Sequence, residues 1–191
     1  MTGTPSNADV PAERADLLTA LARHRGFLTQ TIQGLTAEQA ASTPTASELC
    51  LGGLIKHVGV TERRWIDFAV RGPEAFGPEI DWSQIDWANL AADPVVSEVF
   101  AERAADFQLL PGETVDGVLA DYAAVAADTE RIVGDLPDLN AAHPLPAAPW
   151  FEPGATWSVR RVLLHVIAET SQHAGHADIL RETIDGAKTM G

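Results

Sequence analysis

The sequence contains a single cysteine, Cys50, among its 191 residues. One cysteine cannot form an internal disulfide, and it excludes the zinc sites that are built from several thiolates. Long apolar runs are also missing, since no segment approaches the roughly 18 to 20 residues that a membrane-spanning helix needs. The opening stretch MTGTPSNADVPAERADLL lacks the basic start and apolar centre of a secretory signal. These absences predict a cytoplasmic protein without a membrane partner.

Basic residues are scarce, because 13 Lys and Arg stand against 27 Asp and Glu, for a formal net charge of −14. Such a surface repels phosphate backbones and anionic lipids except at a local basic patch. The pairs that begin at Arg63 and Arg160 are too short to form one. We therefore expect no nucleic-acid partner. Glu62 and Arg63 are interpreted as part of a solvated helix face.

Strand patterns are absent as well, and apolar residues instead recur at helical spacing. A short helix is predicted from Thr36, where Gln39 can complete a capping box, and another near residues 95–100. Residues 73–113 and 136–156 are rich in Gly, Pro and Asp, which is typical of long connections. The periodic segments predict four long helices, at about residues 11–34, 47–72, 114–134 and 157–184.

This layout predicts an all-α fold, a four-helix bundle with long connections between its second and third and its third and fourth helices. The length suits a single domain. We expect the bundle to span residues 11–186, with a flexible N-terminus over residues 1–10 and a tail over residues 187–191.

The last predicted helix carries several metal-ligating side chains on one face. His165, Glu169 and His173 are spaced by four residues, and His176 follows three residues later. The same face continues into apolar residues, so it points toward the core. Burying several ionisable groups there without partners would cost several kcal/mol. A bound divalent metal ion would remove much of that cost.

Helix geometry limits which of these side chains can share one ion. His165 and His173 lie about 12 Å apart along the axis, at roughly 1.5 Å per residue, so they cannot both be ligands. The spacing leaves three pairs open: His165 with Glu169, Glu169 with His173, and His173 with His176. A third ligand has to come from another helix, and His57 is the best candidate because it lies mid-helix beside an apolar stripe.

The segments LCLGGLIKHVGVTERRW and WSVRRVLLHVIAETSQHAGHADILRETIDG resemble the DinB-like superfamily of four-helix bundles. The resemblance is strongest to an actinobacterial branch of unassigned function that is related to mycothiol-dependent maleylpyruvate isomerase. It implies one divalent metal, held by a histidine of the second helix and two residues four apart on the last helix. Matched by motif, these ligands are His57, Glu169 and His173. His176 falls where many relatives have a glutamine close to the metal.

Two histidines and one carboxylate leave coordination positions open, and an open position can bind a thiolate and lower its pKa. The resemblance implies zinc, or alternatively nickel, iron or manganese, and the small thiol mycothiol as co-substrate. We expect a thiol transferase or isomerase that acts on a small electrophile, with a homodimer as a candidate assembly. His176 is the candidate for proton transfer, and Arg181 is the candidate anchor for a carboxylate of the bound molecules. His165 is interpreted as a hydrogen-bonded core histidine.

Two other functions stay open. A non-enzymatic metal- or ligand-binding bundle is favoured by the lack of an obvious second catalytic acid or base. A metal-dependent hydrolase is disfavoured, because Glu169 as a ligand would not be free to activate water. The tryptophans are interpreted as core or loop-pinning residues, with a substrate cleft as the alternative; they are Trp65, Trp82, Trp87, Trp150 and Trp157.

Overall fold

The computed structural model describes residues 9–189, and the chain over this range is mostly helical. Two three-residue strands, β1 (Ala142–Pro144) and β2 (Thr156–Ser158), form a small antiparallel ladder that the sequence did not predict. The expected all-α character is otherwise confirmed. Of the flexible segments predicted at residues 1–10 and 187–191, residues 1–8 and 190–191 lie outside the described residues, residues 9 and 10 begin the first helix, and residues 187–189 follow the end of the last one. The helices are α1 (Asp9–Gln30), α2 (Ala37–Ala41), α3 (Leu51–Arg71), α4 (Pro94–Asp106), α5 (Val115–Asp135) and α6 (Val159–Asp185).

The four long helices pack on one another through their apolar faces. α1 lies against α6 and α5, and α3 lies against both α5 and α6. Burial of each large apolar side chain contributes roughly 1.5 to 3 kcal/mol. No helix within residues 9–189 is long and apolar enough to cross a membrane. The core has two clusters, a first one that includes Leu28, Leu54, Val58, Val125 and Ala177, and a second one that includes Leu21, Trp65, Phe68, Val133 and Val166.

A layer of buried polar side chains separates the two clusters. Each long helix contributes one member at the point where it passes from one cluster to the other. Glu62 is fully buried, and it accepts hydrogen bonds from Arg25 Nε at 3.1 Å and from Thr129 Oγ1 at 2.6 Å. The interpretation of Glu62 as solvated is therefore wrong. The layer consists of Arg25 on α1, Glu62 on α3, Thr129 on α5 and Thr170 on α6.

Two long helices begin later than the sequence predicts. Residues 45–48 form bends instead of the first helical turn, and the extended Cys50 caps α3 with its Sγ, which accepts from Gly53 N at 3.3 Å. The start of α6 is delayed because Thr156–Ser158 pairs with β1, so that Trp157 lies on a strand. Gly186 ends α6 in the left-handed conformation, at φ 81°, which a glycine adopts without strain.

The connection between α3 and α5 contains a longer helix than predicted. α4 begins at Pro94, capped by Asp93 Oδ1, which accepts from Val95 N and Val96 N. Its 13 residues extend to Asp106 and place Phe107 against the N-terminal half of α3. The approach is close at Gly53, where an added Cβ would lie 1.9 Å from the carbonyl oxygen of Phe107.

The substitution Gly53→Ala should lower the free energy of unfolding by about 1 to 3 kcal/mol, because the backbone at Phe107 has to move. Gly26→Ala is the matched control, since Gly26 is an exposed helical glycine with open space around the added Cβ. That change should be neutral or stabilise by up to about 1 kcal/mol. Urea unfolding measures both variants. Equal stability of Gly53→Ala and the wild type would contradict the close approach.

Candidate metal centre

Three side chains from two helices converge at the contact between α3 and α6. His57 comes from the first half of α3, and Glu169 and His173 lie one turn apart on α6. One ligand atom of each lies within 4.8 Å of the other two. The convergence follows from the packing, because α3 and α6 share both apolar clusters and so bring their polar side chains face to face.

The separations are close to those of a metal site. Glu169 Oε2 lies 3.6 Å from His173 Nε2. The rings of His57 and His173 meet edge to face, with centroids 5.0 Å apart. Zinc bonds of 2.0 to 2.2 Å place neighbouring ligand atoms about 3.3 Å apart in a tetrahedral site. Small side-chain rotations would therefore bring all three ligand atoms to bonding distance of one ion.

The state of the histidines also fits a divalent cation. His57 is 5% exposed, and its Nδ1 has no hydrogen-bond partner among residues 9–189. Burial, with smaller contributions from the charges of His173, Arg103 and Arg64, lowers the pKa of His57 to about 3. Burial also lowers the pKa of His173, against the opposing effect of Glu169. Neutral imidazole is the form that binds metals, and an unpaired buried nitrogen is unfavourable without a ligand.

Metal-free protein should lose stability as the pH falls. His57 has a pKa near 6.5 when unfolded and about 3 when folded, so below pH 6.5 the unfolded state takes up a proton that the folded state does not. Between pH 7 and pH 5, this difference should remove about 2 kcal/mol from the free energy of unfolding. Urea unfolding at both pH values measures it, and His57→Gln should flatten the dependence. A wild type that is equally stable at both values would exclude a buried neutral histidine.

His165 lies one turn before Glu169 and outside the converging set. Its Nε2 is 4.0 Å from Glu169 Oε1. Its ring packs against Trp65 and Trp157, with centroid separations of 4.7 and 5.0 Å. Burial lowers the pKa of His165, against the effect of Glu169. These surroundings are those of a packed histidine that can orient Glu169.

His176 borders the converging set from the next turn of α6. Its Nδ1 lies 3.5 Å from Nδ1 of His173, and the ring is half-buried. A hydrogen bond between the two rings would require one of them to donate and the other to accept. His176 thus faces the Nδ1 side of the His173 ring, whereas Glu169 faces Nε2. Its role in catalysis stays a prediction.

Arg181 lies about two turns beyond His173 on α6, and its guanidinium forms hydrogen bonds outside the converging set. Nη1 donates to the carbonyl oxygens of Thr31 and Gln33, at 2.8 Å each, just beyond the end of α1. Nε donates to Asp185 Oδ1 at 2.9 Å. A carboxylate of a bound molecule would have to compete with these partners, so the structure favours a role in joining α1 to α6. The anchoring role stays an untested prediction.

Two neighbours of His57 were missed at the sequence level. The ring of Phe107 stacks on His57 with centroids 3.8 Å apart and an interplanar angle of 21°. Thr61 Oγ1 lies 3.4 Å from His57 Nε2. The i, i+4 spacing could have indicated Thr61. No comparable signal identifies Phe107, because it reaches the site from a separate helix.

Comparisons with known proteins agree with the helical architecture. A family model described as Mycothiol-S-transferase matches residues 16–186. The crystal structure of the colibactin self-resistance protein ClbS in complex with a dsDNA is similar in fold, with a TM-score of 0.53 and 12% sequence identity. The similarity covers 88% of this chain and 95% of that chain. No curated protein matches the chain significantly.

The structural likeness corrects one expectation. Nucleic acid was excluded as a partner because of the net charge of −14, and that exclusion is wrong, since a protein of similar fold is seen in complex with dsDNA. The physical reason is that phosphate contacts depend on the few Lys and Arg side chains that face the duplex. The net charge of the whole chain does not describe the charge of such a local surface.

The family match extends from α1 to the C-terminal end of α6, so it includes all three converging side chains. It covers far more of the chain than the two motifs that carried the resemblance. The description of the family names mycothiol, the same thiol that the resemblance of those motifs implied. The chain therefore belongs to the Mycothiol-S-transferase family, within the DinB-like superfamily.

Proposed function

We propose that this protein is a metal-dependent S-transferase that joins mycothiol to a small electrophile, with His57, Glu169 and His173 as the metal ligands. Zinc is the metal we would test first, because two histidines and a carboxylate are a common catalytic zinc set. When bound, the ion would supply an open coordination position that lowers the pKa of a thiol. The observation that carries the proposal is the convergence of the three ligand atoms within 4.8 Å in a chain of this family.

The side chains around the ligands suggest how the reaction would proceed. The sulfur–hydrogen bond of mycothiol breaks and a sulfur–carbon bond forms. At the same time the electrophile's carbon gives up a bond, either to a leaving group that departs with the electron pair or to an epoxide oxygen that then takes up a proton. His176, beside His173, would accept the thiol proton and then release it to solvent or to the product. Phe107 covers one face of His57 and would keep water from that side. Glu169 Oε2 lies 3.6 Å from His173 Nε2, and its negative charge would hold the His173 ring in its ligating orientation.

The test is turnover of a fluorogenic electrophile by zinc-loaded protein with mycothiol as the thiol. His57→Gln should lower the rate at least about 100-fold, because direct ligands matter more than outer partners, whose loss costs 10- to 100-fold. His24→Gln is the matched control, since His24 lies on α1 and contacts Phe27 instead of the converging set. An equal rate in His57→Gln and the wild type would refute the proposal. Zinc binding without any turnover would favour the non-enzymatic bundle.

Duplex DNA is a second candidate partner, and one observation favours it: ClbS, which has a similar fold, is seen with dsDNA. The test is a titration of labelled duplex at 50 and 200 mM salt, because contacts to phosphates weaken steeply over that range. Arg64 and Arg103, whose charges act on His57, are the first side chains to replace. Absence of binding at the lower salt concentration would reject DNA as a partner.

A further inference from the structure

A second concave surface lies outside the three converging residues. A cleft of about 840 Å³ opens between residues 79–83 and residues 145–154. Trp82 and Phe151 line its opposite walls, and none of the three converging side chains does. Trp150 joins the walls, because its ring lies 4.8 Å from Trp82 and 6.2 Å from Phe151. We call this space the aromatic cleft.

Two tryptophans that contact Trp82 at the edge of the cleft are exposed, although they do not line the cleft themselves. Trp150 is 58% exposed, and Trp87, which stacks on Trp82 at 5.8 Å, is 51% exposed. Large apolar groups clustered at a surface commonly mark a binding site. Both rings pack against Trp82, so they extend the apolar surface of the cleft beyond its lining.

A continuous series of contacts connects the aromatic cleft with Glu169. Phe151 lies 6.2 Å from Trp157, and Trp157 lies 5.0 Å from His165, between ring centroids. His165 Nε2 is in turn 4.0 Å from Glu169 Oε1. The cleft and the candidate metal centre are therefore separated by only two side chains, those of Trp157 and His165.

The charge of the aromatic cleft restricts what it can bind. Three carboxylates line it, those of Glu79, Asp81 and Glu152, and no Lys or Arg does. None of the three forms an ion pair within the described part of the chain. Such a surface repels carboxylates and phosphates. It accepts hydrogen bonds from hydroxyl groups, and its rings pack against the apolar faces of a sugar or cyclitol.

We propose that the aromatic cleft binds the polyol end of the thiol, with the sulfur directed toward His57, Glu169 and His173. Mycothiol has this chemistry, because its N-acetylcysteine is joined through an amide to glucosaminyl-inositol, which carries many hydroxyls and no acidic group. Thiols with free carboxylates or phosphates are disfavoured by the carboxylates of the cleft. This inference rests on the proposed function for the identity of the thiol. The cleft itself can be tested without the metal.

The experiment compares two neutral thiols on the full-length zinc-loaded protein by isothermal titration calorimetry. N-acetylcysteinamide reproduces the sulfur end of mycothiol and lacks its polyol. The wild type should bind mycothiol at least about tenfold more tightly, and Trp82→Ala should lose most of that preference while its affinity for N-acetylcysteinamide stays unchanged. Glu152→Gln should weaken mycothiol alone. Glu74→Gln, an exposed carboxylate outside the cleft, is the control and should change neither.

A metal-independent arm separates this inference from the proposed function. Thiol-free N-acetylglucosaminyl-inositol, whose nitrogen is an uncharged amide as in mycothiol, should bind the metal-free wild type and change its tryptophan fluorescence, and Trp82→Ala should abolish the effect. Absence of that binding, or equal affinity of the wild type for the two thiols, would overturn the cleft assignment. If the polyol binds but zinc does not strengthen mycothiol binding, the cleft stands and the proposed function fails.

Discussion

Glu169→Gln should reduce the zinc affinity of the protein at least about 100-fold. His165→Ala should change it less than about tenfold, because at 4.0 Å His165 makes no hydrogen bond to the Glu169 carboxylate. A carboxylate supplies a full negative charge to the ion, and an amide of the same shape cannot. His165 lies 4.0 Å from Glu169 and can at most orient that carboxylate. Its removal should instead lower the free energy of unfolding by about 1 to 3 kcal/mol, through a small cavity and lost packing on Trp65 and Trp157.

Both variants are compared by competition for zinc with a chromophoric chelator and by urea unfolding without metal. The reverse pattern would be decisive. If His165→Ala removes the metal and Glu169→Gln retains it, the ligands begin one turn earlier on α6. The site would then use His57, His165 and a partner other than His173, and the motif-based assignment would be wrong for this chain.

Removal of the carboxylate from the buried polar layer should have the largest effect on stability. Glu62→Ala leaves Arg25, which is 6% exposed, with only the exposed carboxylate of Glu130 at 3.4 Å, and should cost about 3 to 5 kcal/mol. The double substitution Arg25→Met, Glu62→Leu should recover most of this loss, because two apolar residues of similar volume replace the pair without an unpaired charge.

An exposed ion pair provides the control for this prediction. Asp67→Ala breaks the surface pair with Arg71, whose atoms are 2.8 Å apart, and should cost no more than about 1 kcal/mol. Urea unfolding at neutral pH measures all three variants. A loss below 1 kcal/mol for Glu62→Ala would mean that Arg25 reaches water once its partner is gone.

Local spacing was enough to identify one face of the last helix as a candidate source of metal ligands. Glu169 and His173 share a face because they are four residues apart, and this is a property of any helix. His57 was recognisable because it interrupts an apolar stripe. The choice among the three ligand pairs came from the family resemblance, since helix geometry alone left them open.

The missing parts depend on contacts between distant segments. The sequence around Glu62 suggests a solvated side chain. Its burial is explained only by its partners in other helices, Arg25 at 37 positions and Thr129 at 67 positions along the chain. Phe107 reaches His57 because α4 folds back on α3, with Cys50 and Phe107 in contact across 57 positions. The three-residue strands are too short to show an alternating pattern.

The buried polar layer also determines how far the helices can slide. Glu62 is satisfied only while Arg25 and Thr129 stay level with it. A shift of α1 or α5 by one turn, about 5.4 Å, would place apolar groups of the neighbouring cluster opposite the carboxylate. The interaction therefore fixes the axial register of three helices at one height. Thr170 lies in the same buried polar layer and directly follows Glu169 in sequence. The layer that fixes the axial positions of the helices therefore also fixes where the carboxylate of Glu169 lies relative to α3.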